Sequence, residues 1–233
     1  MESKPQKPII WIGTSLRDPR KFPNEVRREI GHALHMEEIG ERSHKAKMLR
    51  GFSGIIEIVN DYATNTYRAV YAIKIDDNIY VLHVFQKKSK RGIATTKHDL
   101  EIVKKRLQQA KQMAKENMSE KAEYTVGSGN AFKDLGFDRP EEELAKSDLA
   151  IQINKIIEQM GWTQKKAATV LGIDQPKISA LKNGRLGGFS LERLLSFLRA
   201  LDHDIDIVVR PKTEDVAHIQ VAESINRPKY VTR

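Results

Sequence analysis

Three groups of basic side chains in the first half of this chain could together hold a phosphodiester. Lys45, Lys47 and Arg50 precede one strand-like run, Arg68 lies within the next, and Lys87, Lys88, Lys90 and Arg91 leave the last. Guanidinium groups grip phosphate oxygens bidentately, and lysines add compact positive charge. Strand alternation puts Arg68 on the face of Val70 and Ala72. A sheet whose helices cover one face leaves the other available to a ligand. Phe85, just ahead of the lysines, could stack on a base there. Residues 1–117 carry 23 Lys and Arg against 14 Asp and Glu, whereas 118–233 carry 17 of each. The whole net charge of +9 therefore sits in the first half. Such a half points to a polyanionic partner, most simply nucleic acid.

A second constellation is TQKKAATVLGIDQPKISALKNG at 163–184. Thr163 is suited to cap a helix, whose Ala167, Ala168 and Leu171 share one face. Gly172 supplies a tight turn, where a positive φ costs little. Ile173, Ile178 and Leu181 can pack on that face, which leaves Gln175, Lys177, Ser179 and Lys182 largely exposed. A short polar second helix of this kind fits a DNA major groove. Gln bonds adenine bidentately, Ser reads bases weakly, and Lys contacts phosphate or guanine.

The elements that must position these groups divide the chain. Residues 1–117 read as α+β: strands at 8–13, 54–59, 66–75 and 79–86, a helix after Pro23, and another from about Thr96. An antiparallel sheet with sequence neighbours side by side, packed by helices, is the economical architecture. Residues 118–145 read as a flexible polar seam with Gly127 and Gly129 close together. Met118-Ser119-Glu120 resembles the start of a separate reading frame. Within the seam Phe132, Leu135 and Phe137 could dock on a partner surface, and Glu141, Glu142 and Glu143 could meet the basic face. Residues 146–212 read as all-α, with helices near 146–160, 163–172, 174–183 and 190–202. A strand at 205–212 then needs a partner, for which a second copy is one solution. The tail, 213–233, is polar.

Several function classes fall away. With no cysteine there is no disulfide, thiolate nucleophile or cysteine-based zinc site. His32 and His35 stand i, i+3 without a further ligand string, so no metal is expected, and no cofactor motif occurs. His83 shares a face with Val81 and Phe85 and reads as a satisfied strand histidine; Tyr67 and Tyr71 read as packing residues. The apolar run at 8–13 is too short for a signal sequence, and nothing approaches the ~20 apolar residues of a membrane span. A cytoplasmic location is expected, with no membrane partner.

Two family resemblances follow. FP (22–23), KAKMLRG (45–51), GIIEIV (54–59), YRAVY (67–71) and above all VLHVFQKKSKRGI (81–93) resemble the RelE/HigB-type toxins, in particular their phage-related branch. The helix-turn-helix string, with GNAFKDLGF (129–137) ahead of it, resembles the Xre/HigA-type antitoxins. The first resemblance implies a RelE-like fold and a ribosome-dependent endoribonuclease that cuts messenger RNA. Arg68 matches its strand arginine, Lys88 its basic residue after the last strand, and Lys45 and Lys47 its upstream lysines. The second implies a domain that binds its own operator, with Gln164 on phosphate, and neutralises a partner toxin.

The chemistry is compatible. Cleavage through the RNA 2′-hydroxyl needs that group deprotonated, the phosphorane charge stabilised and the leaving 5′-oxygen protonated. Arg68, Lys87 and Lys88 are the expected catalytic groups; Lys45, Lys47, Arg50, Phe85, Lys90 and Arg91 would bind RNA. A lysine base would need its pKa lowered from ~10.4, as crowding among Lys87, Lys88 and Lys90 would tend to do. The expected partners are messenger RNA on the ribosome, operator DNA and a second copy joined through the antitoxin half. Alternatives are an inactive RelE-like binding domain on a DNA-binding regulator, or a ParE-like, gyrase-directed toxin.

Overall fold

The computed structural model describes residues 6–87, 95–115, 123–212 and 219–221. One sheet of six strands organises the first part: β1 (Ile9–Ile12), β2 (Ala46–Met48), β3 (Ile55–Tyr62), β4 (Asn65–Ile75), β5 (Asn78–Lys87) and β6 (Tyr124–Val126). Their order is β2-β3-β4-β5-β1-β6. β2 to β5 are antiparallel sequence neighbours, as expected. β1 departs from that pattern, lying parallel to β5 and antiparallel to β6. Its four residues, IIWI, are all buried. An uninterrupted apolar strand needs neighbours on both edges and cover on both faces, which an edge position cannot give.

Helix α1 (Asn24–Glu38) follows Pro23, and its Val26, Ile30, Ala33 and Leu34 pack on Ile56, Ile58, Ala69 and Tyr71 of one sheet face. Helix α2 (Lys97–Lys115) lays Val103, Ala110 and Met113 on the other face, against Val70, Ala72 and Leu82. Both faces are thus covered, which corrects the expectation of one open face. The cause is legible afterwards: the residues beside Arg68 on its own face are themselves apolar and need burial.

The helices α4 (Pro140–Gln159), α5 (Gln164–Leu171), α6 (Gln175–Lys182) and α7 (Leu191–Ala200) share a second core of Ile153, Leu171, Leu181, Leu194 and their neighbours. The strand expected at 205–212 does not form, and Ile207, Val208 and Val209 are 78%, 68% and 91% exposed. An isolated strand has no ladder to satisfy its backbone.

The seam is largely built rather than loose. Residues 118–122 lie outside the described residues, but β6 joins the sheet, and α3 (Ala131–Asp134) follows at once. Asn130 caps α3 by accepting from the N–H groups of Phe132 and Lys133. Phe132 and Leu135 are fully buried, and Ala131 and Leu135 belong to the first core, with Phe137 packed at its margin. A Cβ on Gly31 would meet the Phe132 ring at 2.9 Å, so α1 leaves a notch for that ring. Helix α4 then crosses the outer side of α1. Arg28 Nε donates to Glu143 at 2.8 Å, His32 Nδ1 meets Ser147 Oγ at 2.8 Å, and His35 Nε2 meets Asp148 Oδ1 at 2.6 Å. Arg185 donates to Glu29 at 2.9 Å beside Gly184, where a Cβ would lie 2.5 Å from the His32 ring. Glu143 therefore meets α1 rather than the basic strand face, and Glu142 pairs with Lys146 on its own helix.

Two predictions follow from this packing. A fragment ending at residue 117 lacks β6 and α3, so it should unfold at lower urea than one ending at 138; equal midpoints would contradict the shared core. The second concerns pH. Burial pulls His35 down, but hydrogen bonds to Asp148 and Glu38 and their charges outweigh it and raise its pKa to about 9. Burial, with the charges of His35, His44 and Lys45, lowers His32 to about 3. A histidine held above its unfolded value of ~6.5 stabilises fully below that pH and loses the contribution as pH rises through its folded value. One held below stabilises fully above ~6.5 and loses the contribution as pH falls. Thermal stability should therefore decline from pH 7 to 9, and His35→Gln should flatten that limb. His32 should add a decline below pH 6. An alkaline limb unchanged in His35→Gln would refute the assignment.

Candidate functional site

Four strands set a row of side chains on the α2 face. Lys47 stands opposite Glu57, Arg68 opposite Phe85, and Lys87 opposite Thr66. Arg68 is only 3% exposed. Its Nη1 donates to Glu57 Oε1 at 2.5 Å and to Thr95 Oγ1 at 3.4 Å, and Thr95 donates to the same Glu57 oxygen at 2.7 Å. The guanidinium is thus held by a carboxylate from β3 and a hydroxyl just before α2. A guanidinium can bind a phosphate, and a carboxylate beside it can accept a proton from a neighbouring hydroxyl.

The register of β4 and β5 shifts next to this row, between the pairs Val70–His83 and Tyr71–Val81. Arg106 of α2 donates to the Leu82 carbonyl at 2.8 Å and to Thr14 Oγ1 at 2.9 Å. His83 Nε2 meets Asp99 Oδ1 at 3.2 Å, Arg106 approaches Nδ1 at 3.5 Å, and the ring stacks on Phe85 with centroids 4.5 Å apart. Burial lowers the His83 pKa against the opposing pull of Asp99. His83 is thus engaged at both nitrogens and ties α2 to the sheet. Phe85 is buried in this stack, so its expected stacking on a base does not fit the geometry.

The other basic positions separate. Lys45 turns to the α1 side, where its Nζ is bonded to Glu29 and lies 3.1 Å from Asn60 Oδ1. It does not join Arg68, because a buried Glu29 needs a counter-charge. Lys47 and Arg50 are exposed near the β2 edge, and Lys87 is nearly buried. Lys88, Lys90 and Arg91 lie outside the described residues. Sequence reasoning missed Glu57, Thr95, Asp99 and Arg106. For Glu57 a signal existed, since it is the one charge inside GIIEIV and alternates onto the Arg68 face.

The helix-turn-helix forms as read. Thr163 accepts from the Lys166 N–H at 3.3 Å, and Asp174 accepts from the Lys177 N–H at 3.0 Å. Gly172 sits between α5 and α6 at φ 62°. Gln164, Gln175 and Lys177 are exposed together, with Gln175 Nε2 3.5 Å from Gln164 Oε1. Ser179 and Lys182 are half-buried: Asn183 donates to the Ser179 carbonyl at 2.7 Å, and Lys182 pairs with Glu158 at 3.3 Å. The same Glu158 oxygen meets His44 of the first part at 3.3 Å. The amino-terminal end of α6 is thus the open end. Among the described residues, no group of three or more His, Asp or Glu could hold a metal, and no helix is long and apolar enough to cross a membrane.

Comparison with known proteins falls along the same division. Residues 17–108 match the family described as phage derived protein Gp49-like, and residues 131–210 match the family described as helix-turn-helix domain. A solved structure titled "Putative XRE Family Transcriptional Regulator" is 45% identical over 36% of this chain and 97% of its own, with a TM-score of 0.35. No curated protein matches the chain. The chain thus joins a region similar to the phage-derived Gp49-like family to an XRE-like helix-turn-helix domain, which at this coarse level supports a toxin–antitoxin fusion with a DNA-binding half.

Proposed function

We propose that the first half is a ribosome-dependent endoribonuclease that cuts messenger RNA, and that the second half holds it latent and represses the operon. The observation that carries the nuclease reading is the Arg68–Glu57 pair within a row of basic strand positions. In this reading Arg68 stabilises the phosphorane, and Glu57 takes the proton from the 2′-hydroxyl. Lys47, Arg50, Lys87, Lys88, Lys90 and Arg91 neutralise the RNA backbone. RNA phosphate would take the place of Thr95 on Arg68, with Glu57 beside it as the base. Docking supports the antitoxin reading: α3 lies inside the helix-turn-helix match yet completes the core of the other half.

Residues 1–138 keep β6 and α3 and are the fragment in which cleavage is measured. There Arg68→Ala should slow messenger cleavage by 10²-fold or more, on the order of 2.7 kcal/mol of lost transition-state stabilisation. Glu57→Gln, which keeps shape but loses basicity, should slow it as well. A folded Arg68→Ala fragment cutting at the wild-type rate refutes the role. The burial of Arg68 favours one second reading, an inactive Gp49-like binding domain on a regulator, for which the wild-type fragment would fold without cutting.

For the second half we propose a palindromic operator bound by two copies, with half-sites about one helical turn apart or a multiple of it. Gln175→Ala should relax base preference there, whereas Lys177→Ala should weaken binding across sequences and reduce the salt slope. Footprinting that finds no protected site upstream of the gene would end the autoregulation proposal.

A further inference from the structure

A cavity of about 340 Å³ lies where the two halves meet, and neither the nuclease nor the operator reading uses it. One wall is α1, another the end of the β3–β4 hairpin, and the third the loop after α6. Seams between packed units are common places for small-molecule sites, and this volume falls in their range. A Cβ at Gly188 would meet nothing within 4 Å, so the loop borders open space there. Two arginines line the cavity, one from each half. Arg28 donates through Nε to Glu143 at 2.8 Å, and Arg185 donates through Nε to Glu29 at 2.9 Å. Each guanidinium is thus anchored at Nε, which leaves its Nη groups for an anion. Two carboxylates line it as well, Glu25 of α1 and Asp61 of the hairpin, and neither is ion-paired among the described residues. Tyr62, 36% exposed beside Asp61, offers a ring face to a cation. Lys45 also pairs with Glu29 from behind the wall. Three cations, Lys45, Arg28 and Arg185, therefore face four carboxylates, Glu25, Glu29, Asp61 and Glu143, which leaves one negative charge in excess.

We propose that this cavity binds a basic α-amino acid, L-arginine or L-lysine. Its carboxylate is held by the Nη groups of Arg28 and Arg185, and its two cationic ends meet Glu25 and Asp61, the side chain lying along Tyr62. The single net positive charge of the ligand cancels the excess on the walls, so each end is paired with its opposite. A simple anion would meet two unpaired carboxylates, and a diamine would leave both arginines without an anion. Because the walls come from both halves, a bound ligand also ties the halves together. Under the proposed function that favours the latent chain, while binding itself depends on neither cleavage nor DNA.

Calorimetric titration of the intact chain tests the site. At least one of L-arginine and L-lysine should bind with a Kd below about 1 mM, and should raise the melting temperature as binding to the folded state requires. Agmatine, which lacks the carboxylate, and L-glutamate, whose net charge has the wrong sign, should each bind about tenfold more weakly or worse. Arg185→Gln and Asp61→Asn should each raise the Kd about tenfold or more, and Gly188→Leu should abolish binding by filling the space. All three positions are exposed, so unliganded melting reports whether each variant is folded. No heat from either amino acid, agmatine bound as tightly as L-arginine, or a Kd indifferent to both charge removals in folded chains would overturn the proposal.

Discussion

A buried carboxylate, Asp134, holds the two halves together. It accepts the Trp11 indole N–H at 2.9 Å and the Ser128 backbone N–H at 3.0 Å. Left unpaired, a buried carboxylate costs several kcal/mol or shifts to its neutral form. Paired, it fixes the end of α3 against the middle of the sheet and thereby seats Phe132 in the notch above Gly31. Gly127 is required by the same approach: a Cβ there would lie 2.7 Å from Asp134 Oδ2 and 2.9 Å from the Ile9 carbonyl. Arg20 adds a bond to the Asp134 carbonyl at 2.9 Å. From this point the direction of α4 is set, and with it the contact of the helix-turn-helix with α1.

Helix α1 consequently packs on two sides. One side closes the first sheet; the other carries Arg28, Glu29, His32 and His35 to α4 and the loop after α6. The Arg68 row lies on the opposite sheet face, under α2. In the proposed function, the second half therefore does not restrain the first by covering the guanidinium. It does so by occupying α1 and adding bulk that a ribosome-bound messenger site must exclude. The contact of α1 with α4 and the loop after α6 is polar and ionic, which leaves its strength open to pH and salt.

The helix-turn-helix was legible because its signals are local: a capping Thr163, paired alanines and a Gly172 turn each act within a few residues. Strands β3 to β5 were legible for the same reason, through alternation and a hairpin. What long-range packing decides was not legible. Nothing local in IIWI says that it inserts between β5 and β6. The pair Gly127 and Gly129 reads as flexibility, yet one glycine admits Asp134 and the other takes φ +81°. Thr95 was hidden as a partner of Arg68 because it lies 27 residues away. Lys45 shows the converse, a correctly noted cation whose buried counter-charge on α1 turned it to the other face. The spacing of His32 and His35 marks the α1 face that meets α4.

The central claim is that joining the second half to the first keeps a messenger nuclease latent. It is tested most directly by following messenger integrity in a translating extract with equal amounts of folded intact chain and folded residues 1–138. The account predicts ribosome-dependent cuts from the fragment and little or none from the intact chain. Equal cutting by both would contradict the inhibition, and no cutting by the folded fragment would contradict the nuclease.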